Sequence, residues 1–271
     1  MREASAPGLL SLAIAVMLGA ARATPVIWMI APLGGPRLNP TVRIGFALLL
    51  AGLAAPALAS ASGASTLAAV SASGLALLLA REVFVGFCLG FVGAAPFRAA
   101  EIAGRVADTV RGANIAEVLV PTADERSSPL GALYLLIATT IFLGIGGVPR
   151  FLDALLDSFQ TLPVAGGAFG AATARQVALV VVSASGRLIA AGLALAAPVV
   201  VACLLADLAL GLIARAAREV PVYFLGLPLK ALLSVAIVLL GLAALCTAFT
   251  RGTGAWLQLV RGIAPALAPH P

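Results

Sequence analysis

The length and spacing of its apolar runs restrict this chain more than any other feature. Six blocks, about Pro7 to Ala31, Ile44 to Ser60, Leu67 to Phe97, Leu130 to Val148, Val177 to Ala214 and Pro228 to Phe249, are separated by short clusters of Arg, Gly and Pro. About 20 apolar residues wound into a helix cross the hydrocarbon core of a bilayer, where irregular backbone would leave its polar groups unpaired. The expected fold is all-α: a polytopic membrane protein of helical hairpins. Charged residues make up 10% of the chain, against about 25% in an ordinary soluble domain, and hydrophobic residues 62%. A soluble fold of this size could not cover itself with so little polar surface.

Two blocks are too long for one simple crossing. The third is interrupted by Arg81-Glu82 and the fifth by Arg187, so each reads as one long tilted helix or as two segments joined at a polar break. At the N-terminal end, Leu9 to Ala20 followed by Ala21-Arg22-Ala23 has the outline of a secretory leader with its cleavage site. The apolar stretch resumes at Val26 to Ile30 and Glu3 offsets Arg2, which favours a retained span. Connectors at Pro32 to Pro40, Ser60 to Gly63 and Pro163 to Gln176 are short and rich in helix breakers, and only Arg98 to Pro129 has real polar content. With six crossings, one side holds Arg37, Arg43, Arg98, Arg105, Arg111, Arg126, Arg215, Arg218 and Lys230, and the other holds Arg2, Arg150, Arg175, Arg251 and Arg261. The richer side is expected to be cytoplasmic, with both termini outside.

Composition also removes whole classes of chemistry. Net charge is +6, but the arginines punctuate apolar runs, which reads as topology signalling and lipid-headgroup contact, with no nucleic-acid stripe. Cys88, Cys203 and Cys246 lie inside apolar blocks without paired spacing, so neither a disulfide framework nor a zinc site is expected. The single histidine, His270, is next to the C-terminus, and the single lysine, Lys230, follows Pro228-Leu229 with no glycine loop. Serine-histidine triads, zinc-protease motifs and nucleotide-binding loops are therefore absent, and no cofactor is expected. Asp153 and Asp157 share a helix face, but without a third ligand nearby they read as carboxylates near a helix start.

Several features could carry function without catalysis. Arg98, Glu101, Arg105, Asp108 and Arg111 fall at spacings of three and four, so one helix side becomes a polar stripe of alternating charge. Such a stripe is either a solvated cytoplasmic helix end or the lining of a watery passage. Directly after it run Gly112, Ala113, Asn114, Ile115, then Glu117, then Asp124, Glu125, Arg126, Ser127, Ser128 and Pro129, a loop bounded by breakers. By itself this reads as a surface loop or as a plug for a passage. Gly86 and Gly90, and Gly144, Gly146 and Gly147, recur at intervals that let helix backbones approach. Asp207 is the lone acid of a long apolar block with no basic residue one turn away, so its counter-charge is expected on another helix or subunit.

The order of these segments resembles a known family, the SctT export-gate subunits of virulence type III secretion systems and their flagellar counterpart FliR. The resemblance rests on Ala21-Arg22-Ala23-Thr24-Pro25, Ala31-Pro32 and Pro40 to Arg43, then Arg81 to Asn114, and DERSSPLG from Asp124. LLDSFQTLPV from Leu155, APVVVACLLADLALGLIARAA from Ala197 and FLGLPLK from Phe224 continue it. It implies a non-enzymatic subunit that joins the smaller SctR and SctS partners in a helical gate of the bacterial inner membrane, through which unfolded proteins are exported. It further implies an SctR-like section over 1–170, an SctS-like hairpin section over 171–271, and a plug at Gly112 to Ser128. The connector holding Arg215, Arg218 and Lys230 would face the switch subunit SctU. DERSSPLG and FLGLPLK look closer to the virulence branch than to the flagellar one. The alternatives are a small-molecule secondary transporter, disfavoured by the lack of an internal repeat, an intramembrane protease, disfavoured by the position of His270, and a membrane scaffold without a passage.

Overall fold

The computed structural model describes residues 6–33, 39–55, 71–113, 128–164, 171–216 and 221–267, and every regular element among them is helical. In chain order these are α1 (Ala6–Met29), a 3-10 turn at Ala31–Leu33, α2 (Pro40–Leu53), α3 (Ala72–Arg111), α4 (Pro129–Gly144) and α5 (Gly147–Thr161). The series continues with α6 (Ala171–Ala216), α7 (Val222–Leu240) and α8 (Leu242–Leu267).

The two overlong blocks resolve as single helices. α3 runs unbroken through Arg81-Glu82 and Pro96, and α6 through Arg187 and Pro198. Their 40 and 46 residues correspond to roughly 60 and 70 Å of helix at about 1.5 Å per residue. Each internal proline removes one backbone N–H from the ladder, a loss that membrane helices tolerate when neighbouring groups take up the freed carbonyl.

Among the described residues, six equal crossings do not appear. α1, α3 and α6 are each long and apolar enough to cross a membrane, and the broken pairs α4–α5 and α7–α8 raise the number to five if each counts once. α2, in the second apolar block, has 14 residues, or about 21 Å, short of the roughly 30 Å hydrocarbon core. The breaks have local causes: Gly146, with φ of 68°, ends α4 in a left-handed turn that favours glycine, and Gly241 lies between α7 and α8.

The described helices form two compact units. The first comprises residues 1–95, 142–185 and 253–271, and the second 96–141 and 186–252. In the first unit, Leu18, Val26 and Ile27 of α1, Val85, Leu89 and Val92 of α3, and Phe151, Leu155 and Phe159 of α5 are buried. Gly86 and Gly90 bring α3 against α1, as their spacing leads one to expect: a Cβ on Gly86 would stand 2.1 Å from the Arg22 carbonyl oxygen, and one on Gly90 3.0 Å from Val26 Cα. Gly144, Gly146 and Gly147 behave otherwise. Gly144 has open space around it, Gly146 makes the turn, and Gly147 abuts the Phe142 ring.

In the second unit, Phe97, Ala100, Ala103 and Ala107 of α3, Tyr134 and Ala138 of α4, Val199 and Cys203 of α6, Val238 of α7 and Phe249 of α8 are buried, with the Phe97 and Phe249 ring centroids 6.0 Å apart. Much of the surface of α6 and α7 is apolar and exposed, including Leu204, Leu205, Leu208, Leu212, Leu232 and Leu240. A helix that is apolar around its circumference belongs in lipid or against other helices.

Candidate functional site

The polar stripe on α3 divides in two. Glu101 lies between two arginines, its Oε2 accepting from Arg98 Nη1 at 2.8 Å and its Oε1 from Arg105 Nη2 at 2.7 Å, with both arginine side chains more than half exposed. Asp108, in contrast, is buried. It points toward the start of α4, where its Oδ2 accepts from the Ser128 hydroxyl at 2.5 Å and from the Leu130 N–H at 3.0 Å. Arg111 Nε stands 2.7 Å from Asp108 Oδ1, an ion pair by distance whose N–H is not aligned on the oxygen. Arg98 and Arg105 are thus exposed on either side of a partly buried Glu101, whereas Asp108 and Arg111 form a polar cluster turned inward.

That cluster follows from helix ends. Ser128 is the N-cap of α4: its Oγ accepts from the Gly131 N–H at 2.9 Å, and Pro129 occupies the first helical position, where a missing N–H costs nothing. Asp108 satisfies the Leu130 N–H, a second donor that a helix start leaves without an intrahelical partner. α3 ends with Gly112 at φ of 84°, the Ala113 N–H bonded to the Asp108 carbonyl at 3.0 Å and the Gly112 N–H to the Thr109 carbonyl at 3.2 Å. This is the Schellman arrangement, which favours glycine at its left-handed position. The two helices approach closely because both carry glycine there; a Cβ on Gly104 would lie 2.3 Å from the Gly131 nitrogen. Of the proposed plug residues, Gly112, Ala113 and Ser128 belong to this base. Asn114, Ile115, Glu117, Asp124, Glu125, Arg126 and Ser127 lie outside the described residues.

Asp207 finds its counter-charge within the chain, on another helix: Lys230 Nζ pairs with Asp207 Oδ1, joining α6 to α7. The Asp207 side chain keeps 45% of its surface exposed and Lys230 keeps 15%. Lys230 is therefore no connector residue, since α7 begins at Val222; Arg215 lies exposed in the last turn of α6, and Arg218 falls outside the described residues.

Sequence reasoning missed the largest fully buried side chain among the described residues. Arg22 of α1 is fully enclosed, with Nε donating to Glu82 Oε2 of α3 at 2.6 Å and Nη2 donating to the Leu162 carbonyl at 2.9 Å. Its Nη1 donates to the carbonyl and hydroxyl oxygens of Ser158 at 2.8 and 3.2 Å, and the guanidinium lies 4.5 Å from the centre of the Phe159 ring. Arg81 Nη1 donates to the carbonyls of Pro163 and Val164 and stands 3.5 Å from Glu82 Oε1. Arg22 thus holds the last turn of α5 and its C-cap residue Leu162, and Arg81 holds the chain just beyond, at the end where a helix carries partial negative charge. The available signal was a lone Arg in one apolar block and an acid in another, since intramembrane charges seek partners.

Long apolar helices with few charges, several of them paired within the chain, define a multi-pass membrane protein. Residues 13–255 match the family model described as bacterial export proteins, family 1, and the chain belongs to that family. It is 36% identical over 161 residues to Yop proteins translocation protein T of Yersinia pestis, covering 59% of this chain and 61% of that protein. To the secretion system apparatus protein SsaT of Salmonella typhimurium it is 34% identical over 157 residues, 58% of this chain and 59% of that protein. The flagellar biosynthetic protein FliR of Bacillus subtilis is 31% identical over 200 residues, 73% of this chain and 75% of that protein. The matched region thus spans about three-fifths of the length of the first two relatives.

Proposed function

We propose that this chain is a structural and gating subunit of a type III secretion export gate in the bacterial inner membrane, with no catalytic role. The observation that carries the reading is the family match across 13–255, found in a chain whose α6 and α7 present exposed apolar faces suited to neighbouring helices. Relatives named for Yop protein translocation, a secretion system apparatus and flagellar biosynthesis support a role in protein export, the first two favouring the virulence branch. In this reading the chain assembles with SctR and SctS, contacts the switch protein SctU and lets unfolded polypeptides pass. The division into an SctR-like section over 1–170 and an SctS-like section over 171–271 concerns resemblance along the chain, which is a different matter from the contacts that define the compact units.

The segment from Gly112 to Ser128 serves as the plug. Its test is crosslinking: single cysteines placed from Gly112 to Ser128 should capture a stalled export substrate, and a complete failure to do so removes the plug role. The SctU contact is tested at Arg215 and Arg218. Neutralising both should lower export, and unchanged export would discard that contact. Lys230 is kept out of this variant, because removing it would strip Asp207 of its partner.

A further inference from the structure

We propose that Asp108 is a positioning residue that holds the end of α3 and the start of α4 as one rigid base, so that both feet of the intervening segment stay at a fixed separation. The bearing of this base on export rests on the plug reading above, whereas the base itself does not. A single residue reaches both feet. Its backbone carbonyl receives the Ala113 N–H that closes the Schellman turn, and its carboxylate receives the Ser128 hydroxyl and the Leu130 N–H that open α4.

A buried carboxylate is costly unless it is hydrogen-bonded and paired, and Asp108 has two hydrogen-bond donors and the Arg111 guanidinium. Ser128 with Pro129 would already make an adequate helix start, since Ser128 Oγ takes the Gly131 N–H. The added carboxylate therefore ties α4 to α3, beyond what forming α4 requires. The Gly104 and Gly131 backbones, too close for a Cβ on Gly104, bring the acid within reach of that helix start. A base tied in this way has one geometry, so any rearrangement of the segment takes place between fixed feet.

The test places spin labels at Thr109 and Ala132, which are exposed on the two helices, in the full chain purified with the membrane proteins that accompany it. A single narrow distance distribution is expected for the parent and for Ser128→Thr, which keeps the cap hydroxyl. Ser128→Ala should broaden the distribution, and Asp108→Ala should broaden it further and shift it to longer distances; Glu101→Gln on the same helix should leave it alone. Parent-like distributions in both Ser128→Ala and Asp108→Ala overturn the proposal. Ser128→Ala removes one hydroxyl only, so the test survives even where Asp108→Ala does not fold. Leakage of a small solute through resting cells is measured in parallel. Feet that loosen while leakage and export stay at parental levels would leave the rigid base standing and remove the plug reading.

Discussion

The Arg22–Glu82 and Asp207–Lys230 pairs each join two apolar helices, yet they sit in opposite surroundings. In the first unit, Arg22 and Glu82 are both fully buried, and the arginine also satisfies two backbone carbonyls and a serine hydroxyl of α5. In the second, Asp207 and Lys230 bridge α6 and α7 with nearly half the aspartate exposed. The first pair acts as a fastener among three helices: its desolvation is offset by the hydrogen bonds of Arg22, while Glu82 Oε1 has the Arg81 guanidinium 3.5 Å away. The second leaves nearly half of its aspartate exposed, so it adds less to the isolated fold. Charge in an apolar chain can thus either lock a core or lie partly exposed, and burial together with acceptor count tells the two apart.

The largest expected effect breaks the buried pair. Arg22→Ala leaves Glu82 enclosed without its partner and should cost about 3–5 kcal/mol, read as a fall in the thermal midpoint of the detergent-solubilised protein. Arg22→Met combined with Glu82→Leu should recover only part of that loss, since it removes two charges but leaves the buried Arg81 without its acid. Glycines sharpen the contrast. Gly86→Ala would force a Cβ into the Arg22 carbonyl and should cost about 1–3 kcal/mol, as overpacked sites do. Gly211→Ala on α6 has open space and should stabilise by up to roughly 1 kcal/mol through helix propensity. Equal effects of the two substitutions, measured by the same melting assay, would erase the distinction between a fastened and an open helix face.

Smaller shifts follow. Ser128→Ala should lose about 1 kcal/mol of stability, the usual cost of an N-cap hydroxyl, visible as earlier proteolysis near the start of α4 on heating. Asp207→Asn should change stability by no more than about 1 kcal/mol because the pair is half exposed. A loss matching that of Arg22→Ala would place both pairs in the same class and break the comparison.

Much of the fold is legible in the sequence because apolar run length is itself the physical requirement for crossing a membrane. α1 follows from it directly, α3 and α6 are one of the two readings left open at Arg81-Glu82 and Arg187, and Gly86 and Gly90 announce a close helix contact without naming its partner. Run length fails where helices are amphipathic. α5 carries Phe151, Leu155 and Phe159 on its buried face with Asp153 and Asp157 outside, and α8 continues well past the block that ends at Phe249. In α8 the buried Thr253, Trp256, Val260 and Ile263 recur at helical spacing, a signal obscured by Arg251, Gly252 and Gly254. The candidate site was legible only in part. Spacing placed Asp108 on the stripe, but its inward turn depends on where α4 begins, 20 residues further on at Ser128. Arg22 was hidden more deeply, since its partner Glu82 is 60 residues away and the local sequence resembles a leader's cleavage site.

The central claim is that this chain works as one member of a membrane assembly that conducts polypeptides. Its most direct test is the composition of the particle that a tagged copy brings out of the membrane in mild detergent. The expected particle contains at least two other kinds of membrane subunit, and secretion of polypeptides stops when the chain is deleted and returns when it is restored. Recovery of the chain alone, moving a small solute by itself in pure liposomes, would contradict the account.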